Sequence, residues 1–187
     1  MTIRNFDALF APKTIALIGA SNKENSVGAV LARNLMQGGF AGPILMVNPH
    51  ESAIAGAPAY PSIAALPQAP DLAVIATPAA SVPGLIHDVS ARGARATVVI
   101  SAGFSNKDLR QRLLDSSAPT LTRIVGPNSL GFLSPAGGIN ASFSHLKPRK
   151  GRIALLSQSG AILTSMIDWA GARGIGFSHL VSLGDMS

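Results

Sequence analysis

A glycine-containing loop near the N-terminus has the residue types and spacing of a phosphate-binding site. In "IALIGASNKENSVGAVLARNL" (15–35), an apolar run ends at Gly19, and Gly28 opens an amphipathic stretch. A strand, a loop and a helix in this order place the unpaired N–H groups and the positive dipole end of the helix beside a bound anion. The loop is not G-x-G-x-x-G, because Ser21 and Glu24 stand at the second and third glycine positions. It therefore predicts a phosphate-bearing ligand without identifying it.

Two common kinds of phosphate-binding site fit the sequence poorly. Nicotinamide dinucleotide sites usually have an acid at the end of the second strand, where it binds the ribose hydroxyls. Here that strand ends at Val47-Asn48-Pro49, and the nearest acid, Glu51, lies beyond it. A P-loop is excluded because no Gly-Lys-Ser/Thr follows the loop. A dehydrogenase remains a minor alternative.

The elements that must position this loop alternate between apolar strands and amphipathic helices. The pattern predicts strands near 14–19, 44–47, 72–77, 97–101 and 123–126, helices near 27–38, 81–92 and 106–116, and a short helical turn near 62–66. The strands are apolar nearly throughout, as expected when helices cover both faces of a sheet. We therefore predict an α/β fold, with a doubly wound parallel sheet and right-handed crossovers in a first domain over 1–146.

The loops that follow the predicted strands should meet at one edge of this sheet, where open α/β folds bind ligands. Each of them consists mainly of small residues, proline, serine, threonine and asparagine, and none holds a pair of carboxylates. They are residues 19–28, 47–50, 76–81, 101–105 and 126–131. Such loops allow a ligand to lie along the backbone.

A second α/β unit is predicted after a basic linker, 147–151. It has a strand at 152–157, the loop "SQSG", a helix at 160–172 and a strand at 177–183. One β-α-β unit is too small to bury its own sheet. We therefore expect residues 152–187 to be the truncated start of a second domain, with the rest of its sheet outside this chain and possible self-association through this unit. Ser159 precedes this helix and is suited to cap it. Trp169 on the helix is expected to pack in the core.

Composition excludes several classes of function. The chain has 187 residues, a net charge of +6 and no cysteine, which rules out disulfides, thiolate metal sites and a cysteine nucleophile. One Trp and one Tyr leave little surface for stacking bases, so no nucleic-acid partner is expected. No apolar run approaches the ~18 residues of a membrane span. We expect no membrane partner and a cytoplasmic location, and the positive charge suits a small polyanion.

Six segments of the chain, taken together, resemble a known module. They are "IALIGASNKENSVG", "PDLAVIATPAASVPGLI", "VVISAGF", "GPNSLGFLSP", "NASF" and "LLSQSGA…DWA…GIGFSH…SLGDM". In this order they resemble the CoA-binding module of NDP-forming acyl-CoA synthetases, relatives of the succinyl-CoA ligase alpha subunit. The module is also found fused to GNAT-type lysine acetyltransferases. The resemblance implies a Rossmann-like CoA-binding domain followed by the first β-α-β unit of a flavodoxin-like domain.

The resemblance also implies where coenzyme A lies. The diphosphate would contact the first loop, the adenosine the end of the second strand, the pantetheine arm the next two strand ends, and the thiol the loop after the fifth strand. In that order the implied residues are Gly19, Ser21, Ser26, Val27 and Gly28; Val47, Asn48 and Pro49; Thr77, Pro78, Ala79, Ser101, Ala102 and Gly103; and Asn128 and Ser129. A second phosphate-facing loop would use Ser157, Ser159 and Gly160.

The family's chemistry passes through a phosphohistidine, and this chain offers no candidate for it. None of its four histidines, His50, His87, His145 and His179, lies in the Gly-His-Ser/Ala context of the family. The resemblance thus implies an acid–thiol ligase whose CoA-binding portion is seen here, holding CoA for thioester formation from an acyl phosphate. By itself this chain should be inactive, with no catalytic residue and no metal site.

ATP or ADP and Mg would bind only to the remaining synthetase domains or subunit. The alternative implied is a regulatory acyl-CoA sensor of a GNAT-type acetyltransferase, and a free-standing CoA-binding protein comes third. Many relatives have cysteine where this chain has Ser129. A serine can still donate a hydrogen bond to the ligand, but it cannot act as a thiol.

Overall fold

The computed structural model describes residues 3–186, and its larger sheet has seven strands. These are β1 (Ile15–Ile18), β2 (Ile44–Val47), β3 (Ala53–Ile54), β4 (Ala57–Tyr60), β5 (Leu72–Ile75), β6 (Ala96–Val99) and β7 (Arg123–Val125). Their order is β3-β4-β2-β1-β5-β6-β7, and every neighbouring pair is parallel except β3 and β4. The predicted parallel sheet is confirmed.

Helices cover both faces of this sheet. They are α1 (Phe6–Phe10), α2 (Val27–Gly38), α3 (Val82–Arg92) and α4 (Lys107–Ser117), with a 3-10 turn at Ala79–Ser81. Alternate residues of β1 point to opposite faces: Leu17 packs in the cluster that includes Leu31 of α2, whereas Ile18 packs in the cluster that includes Ile86 of α3. The central strands β1, β5 and β6 are almost entirely apolar because both of their faces are buried.

The order of the strands reverses at β1. The chain passes from β1 outward to β2 on one side and then returns to β5 on the other side. The loops after β1 and β5 therefore leave the sheet in opposite directions and open a crevice between them, the position at which doubly wound folds bind their ligands.

The second sheet draws half of its strands from a hairpin that the sequence pattern did not reveal. It consists of β8 (Gly131–Ser134), β9 (Ile139–Ser142), β10 (Lys150–Ser157) and β11 (Phe177–Ser182), in the order β10-β11-β8-β9. Helix α5 (Gly160–Gly171) connects the parallel pair β10 and β11, and the other pairs are antiparallel. The expectation that the rest of this sheet lies outside the chain is therefore wrong for two strands.

The hairpin joins the two sheets into one packed body. On one face Phe132 and Val181 belong to the cluster of the first sheet and α2, and on the other Leu133 and Leu180 pack against α5. Strand β10 also begins at Lys150, inside the predicted linker. The boundary at 146 stays a prediction, but the packing described here continues across it.

Several local features differ from the expected pattern. Helix α1 and strands β3 and β4 were not predicted, and residues 62–66 form hydrogen-bonded turns rather than a helix. Trp169 is 47% exposed, with the Arg173 guanidinium 4.5 Å from the centre of its ring, so the expected core position is wrong. His179 packs against the rings of Phe10 and Phe132, which also contact each other. Within residues 3–186, no helix combines the length and apolar character that crossing a bilayer would require.

Asp71 anchors the start of the sheet and makes stability depend on pH. Partial burial would raise the pKa of Asp71, but hydrogen bonds from the N–H of Lys13 (2.7 Å), from Arg95 (3.0 Å) and from the N–H of Thr14 (3.3 Å) hold that pKa below its ordinary value. The carboxylate therefore stabilises the folded chain above pH ~4, and this stability is lost as the pH falls through the lowered pKa. We expect Asp71→Asn to reduce the acid-dependent loss of unfolding free energy, measured by urea denaturation from about pH 5 to about pH 2.5.

The control for this prediction is Asp168→Asn, an exposed acid on α5. It should leave the acid dependence unchanged. If both variants follow the wild-type pH profile, Asp71 does not carry this stability.

Candidate functional site

A cleft of about 760 Å³ opens at the carboxyl edge of the first sheet, where the strand order reverses. Both sheets contribute to its walls. The residues that line it are Val27, Ala76, Thr77, Ile100, Ser101, Ala102, Asn128, Ser129, Leu130, Phe143, Gln158, Ser159, Gly160, Ala161 and Thr164. Eight of them were predicted from the sequence: Val27, Thr77, Ser101, Ala102, Asn128, Ser129, Ser159 and Gly160.

The first wall is the start of α2. Ser26 is its N-cap, with Oγ accepting a hydrogen bond from the N–H of Ala29 at 3.2 Å. This bond satisfies one of the four N–H groups that a helix start leaves unpaired. Val27, the first helical residue, is 42% exposed and lines the cleft. The positive end of the α2 dipole therefore lies at this wall.

Gly28 has a packing role rather than a place in the cleft. It is buried, and a Cβ at this position would lie 2.1 Å from the carbonyl oxygen of Gly19. Gly19 has a φ of +86° and turns the chain sharply after β1. The two glycines let α2 start directly against the loop. A side chain at position 28 would meet this loop instead of the ligand. Contact of Gly28 with a diphosphate through its backbone N–H stays a prediction.

The opposite wall is the start of α5. The Oγ of Ser157 accepts from the N–H of Ser159 (3.1 Å), and the Oγ of Ser159 accepts from the N–H of Ile162 (3.3 Å). Ser159 is therefore the N-cap, and it also lines the cleft together with Gly160. Two twelve-residue helices thus begin at one cleft. The arrangement suits a ligand that carries more than one anionic group.

The loop between β7 and β8 forms the floor of the cleft. Ser129 is only 2% exposed, and its Oγ donates to the carbonyl oxygen of Ser182 (2.6 Å) and accepts from the N–H of Gly131 (3.0 Å). Its hydroxyl hydrogen already has an acceptor, so the expected donation to a ligand is not available in this arrangement. Through its hydrogen bond to Ser182, Ser129 instead connects the loop at the floor of the cleft to β11. Asn128 is exposed and lines the cleft.

The remaining predicted residues do not line the cleft. Val47 is buried in the sheet, and Pro49 is exposed at its edge. The side chain of Asn48 is used within the protein, because Nδ2 donates to the carbonyl oxygen of Ala20 (2.8 Å) and Oδ1 accepts from the N–H of His50 (2.7 Å). Asn48 therefore holds the second strand end against the first loop.

The other predicted residues outside the cleft lie beside it in the chain. Ser21 lines a separate groove of about 450 Å³ on the outer side of α2, together with Asn22, Glu24 and Arg33. Pro78, Ala79 and Gly103 follow β5 and β6, but their side chains and backbone do not line the cleft. Gly19, Ser26, Gly28 and Ser157 shape the helix starts described above.

The sequence reasoning missed several cleft residues. Phe143 follows β9 and is 39% exposed, and Leu130 precedes β8. Neither could be assigned to the cleft from the sequence, because the hairpin itself was not predicted. Gln158 stands inside the quoted "SQSGA" segment, and Thr164 follows Gly160 by one helical turn, with its hydroxyl donating to the Gly160 carbonyl at 3.0 Å. For Thr164, the only indication in the sequence was its position four residues after Gly160, which places both residues on one side of the helix.

The cleft has an uncharged lining. Among the residues that line it, there are hydroxyls, two amides and apolar side chains, but no Asp, Glu, His, Lys or Arg. Attraction for an anion would come from the two helix starts. The apolar side chains, among them Phe143 and Val27, suit the uncharged part of a ligand.

Comparisons with known proteins agree with this geometry. A family model described as "CoA binding domain" matches residues 13–135, and a model described as "Succinyl-CoA ligase like flavodoxin domain" matches residues 150–187. An acetate–CoA ligase [ADP-forming] I from Archaeoglobus fulgidus is 40% identical over 184 residues, which is 96% of this chain and 27% of that protein. The acetate–CoA ligase [ADP-forming] I subunit alpha of Pyrococcus furiosus is 34% identical, with coverage of 97% and 41%.

A solved structure shows the same similarity to acyl-CoA synthetases. The dinucleotide forming acetyl-coenzyme A synthetase 1 of Ca. Korarchaeum cryptofilum, in complex with phosphate and ADP, superimposes with a TM-score of 0.91 at 34% identity. The match covers 96% of this chain and 39% of that one. The chain thus spans between about a quarter and two fifths of the length of these relatives. Since the first family model matches well over half of its residues, this chain belongs to the CoA-binding domain family, here joined to a succinyl-CoA-ligase-like flavodoxin segment.

Proposed function

We propose that the cleft binds coenzyme A and that this chain is the CoA-binding portion of an ADP-forming acyl-CoA synthetase. The observation that carries the proposal is the convergence of two helix N-termini on one uncharged cleft at the point of strand reversal. In this proposal the start of α2 binds the diphosphate through its N–H groups. The role of the chain is to hold CoA so that its thiol reaches an acyl phosphate.

The pantetheine arm fits the middle of the cleft. Thr77 and Ser101 follow neighbouring strands, and the Oγ of Ser101 donates to the carbonyl oxygen of Thr77, so the two strand ends form one continuous surface. Phe143 and Val27 supply apolar contacts for the methylene and dimethyl groups of the arm. A long, mostly uncharged chain with anionic groups at one end matches such a lining.

The end of β2 favours CoA over a nicotinamide dinucleotide. No acid follows Val47 directly, and Glu51 accepts a hydrogen bond from Nδ2 of Asn22 at 3.1 Å, outside the cleft. A ribose diol would therefore find no carboxylate at the expected place. The relatives reported above are ligases, so the comparisons give the acetyltransferase alternative no support.

We expect the 187-residue chain to bind CoA and not NAD. Isothermal titration calorimetry with CoA, dephospho-CoA and NAD measures this directly. CoA should give saturable heat at a ratio of one ligand to one chain, and NAD should give none. Saturable NAD binding without CoA binding would contradict the proposal.

A matched pair of variants tests whether the ligand lies in the cleft. Ala102 is exposed and lines the cleft. Ala102→Asp adds a negative charge beside a polyanionic ligand, whereas Ala102→Asn adds nearly the same volume without the charge. We expect Asp to weaken CoA binding about tenfold more than Asn, which corresponds to 1.4 kcal/mol. Equal effects of the two variants would mean that CoA binds elsewhere.

A further inference from the structure

The turn after β11, residues 184–186, contacts two amide side chains that line the cleft. Nδ2 of Asn128 donates to Oδ1 of Asp185 at 3.1 Å. Nε2 of Gln158 donates to the sulfur of Met186 at 2.7 Å. Both amides therefore turn their NH₂ groups toward the same turn.

Contacts that do not involve the Asp185 carboxylate hold this turn in place. The N–H of Asp185 donates to the carbonyl oxygen of Pro127 (2.9 Å), and Arg110 donates to the carbonyl oxygens of Asp185 (2.8 Å) and Met186 (3.0 Å). Gly184 lies so close to the loop that a Cβ there would be 2.0 Å from the Pro127 oxygen. The carboxylate is thus presented to Asn128 by a backbone that is fixed independently of it.

The charge of Asp185 determines which way the Asn128 amide faces. An ionised carboxylate only accepts hydrogen bonds, and an asparagine amide has a donor side and an acceptor side. A flipped amide would place its oxygen against the carboxylate, so the NH₂ group is held toward Asp185. The backbone of Asn128 is fixed as well, because its N–H donates to the carbonyl oxygen of Ser101 at 2.9 Å. The remaining amide atom, Oδ1, is an acceptor on the side away from Asp185.

We infer that Asp185 is a positioning residue that keeps Oδ1 of Asn128 available as an acceptor for a donor group of the ligand. This inference rests on the proposed binding of CoA, whose pantetheine arm carries two amide N–H groups, a hydroxyl and a thiol. The adenosine 3′,5′-bisphosphate part of CoA lacks this arm. Asp185 therefore contributes to selectivity for the complete ligand over its nucleotide part.

The test compares the affinities of the 187-residue chain for CoA and for adenosine 3′,5′-bisphosphate by calorimetry. Removing the negative charge of Asp185 changes the affinity for both polyanions. The ratio of the two dissociation constants therefore reports only the contribution of the pantetheine arm to binding. We expect Asp185→Ala to lower this selectivity about three- to tenfold, the effect of one hydrogen bond. The control Asp168→Ala, which removes an exposed acid on α5, should leave the ratio unchanged.

Two further variants separate positioning from a general structural role. Asn128→Ala should lower the selectivity by a similar factor, and adding Asp185→Ala to it should have no further effect. Exchanging the two groups, with Asn128→Asp and Asp185→Asn in one chain, restores both the hydrogen bond and an acceptor at the cleft. We expect this exchange to recover the wild-type selectivity to within about threefold.

Three results would overturn the inference. They are an unchanged ratio in Asp185→Ala, an equal loss of affinity for both ligands, and a full additional loss in the double alanine variant. If the wild-type chain does not bind CoA at all, the proposed function fails and this inference fails with it. If the wild-type chain binds CoA and Asp185→Ala leaves the ratio unchanged, the inference fails but the proposed function is not affected.

Discussion

Gly28→Ala should abolish CoA binding and lower the free energy of unfolding by about 2–3 kcal/mol, the cost of an overpacked site. The new methyl group would lie 2.1 Å from the Gly19 carbonyl oxygen, which is far inside van der Waals contact. This oxygen belongs to the backbone and cannot rotate away, so either α2 or the loop must move. Both shape the wall of the cleft that begins at Val27. Urea denaturation and calorimetry with CoA measure the two effects.

A second glycine provides the control for helix propensity. Gly84, near the start of α3, has no atom within 4 Å of the place where a Cβ would be. Gly84→Ala should therefore raise the unfolding free energy by up to about 1 kcal/mol, because alanine is favoured in helices. CoA affinity should not change. A Gly28→Ala chain with wild-type stability and affinity would show that the close approach to Gly19 is not required.

Asn34→Ala should lower the free energy of unfolding by about 2–4 kcal/mol, since it leaves two backbone carbonyls without their donor. Asn34 is 6% exposed on α2, and its Nδ2 donates to the carbonyl oxygens of Ser142 (2.8 Å) and Ser144 (2.9 Å). These bonds hold the end of the hairpin against α2. Because Phe143 stands between the two acceptors, CoA affinity should also fall. Urea denaturation and calorimetry again measure both effects.

The neighbouring residue on the same helix gives the comparison. Arg33 is exposed, and Arg33→Ala should change the unfolding free energy by no more than about 0.5 kcal/mol. If Asn34→Ala is as mild as Arg33→Ala, the hairpin is held by its apolar contacts and these hydrogen bonds contribute little.

Five of the seven strands of the first sheet were predictable because they are short, mostly apolar runs. The short edge strands β3 and β4 are partly exposed and have no such pattern. The expected helix over 27–38 is identical to α2, since its apolar spacing and its Ser26 cap give the same limits. The hairpin of β8 and β9 was not predictable in this way. Its strands contain Asn140 and Ser142, and β8 pairs with β11, a partner far along the chain. Pairing of this kind leaves no local periodicity in the sequence.

The candidate site was predictable as a set of strand-end loops but not in the role of each residue. Thr77, Ser101 and Asn128 line the cleft because strand ends of a parallel sheet meet at one edge. Asn48 and Ser129 were expected to contact the ligand, yet their polar atoms bond to the protein backbone. A sequence shows that a polar side chain is present at a strand end. Whether the backbone or a ligand uses it depends on contacts between distant segments.

The position of the hairpin has a consequence for the order of events during synthesis. All seven strands of the first sheet have been made once Val125 is in the chain, and β8 and β9 can pair as soon as Ser142 follows. The face of the hairpin that carries Leu133 is then open, because its neighbour β11 and the covering helix α5 come later. Domains fold from the N-terminus as they are made, at about 5–20 residues per second. A nascent chain therefore passes through an interval of seconds in which one sheet is complete and an apolar surface of the next is exposed to chaperones and to other nascent chains.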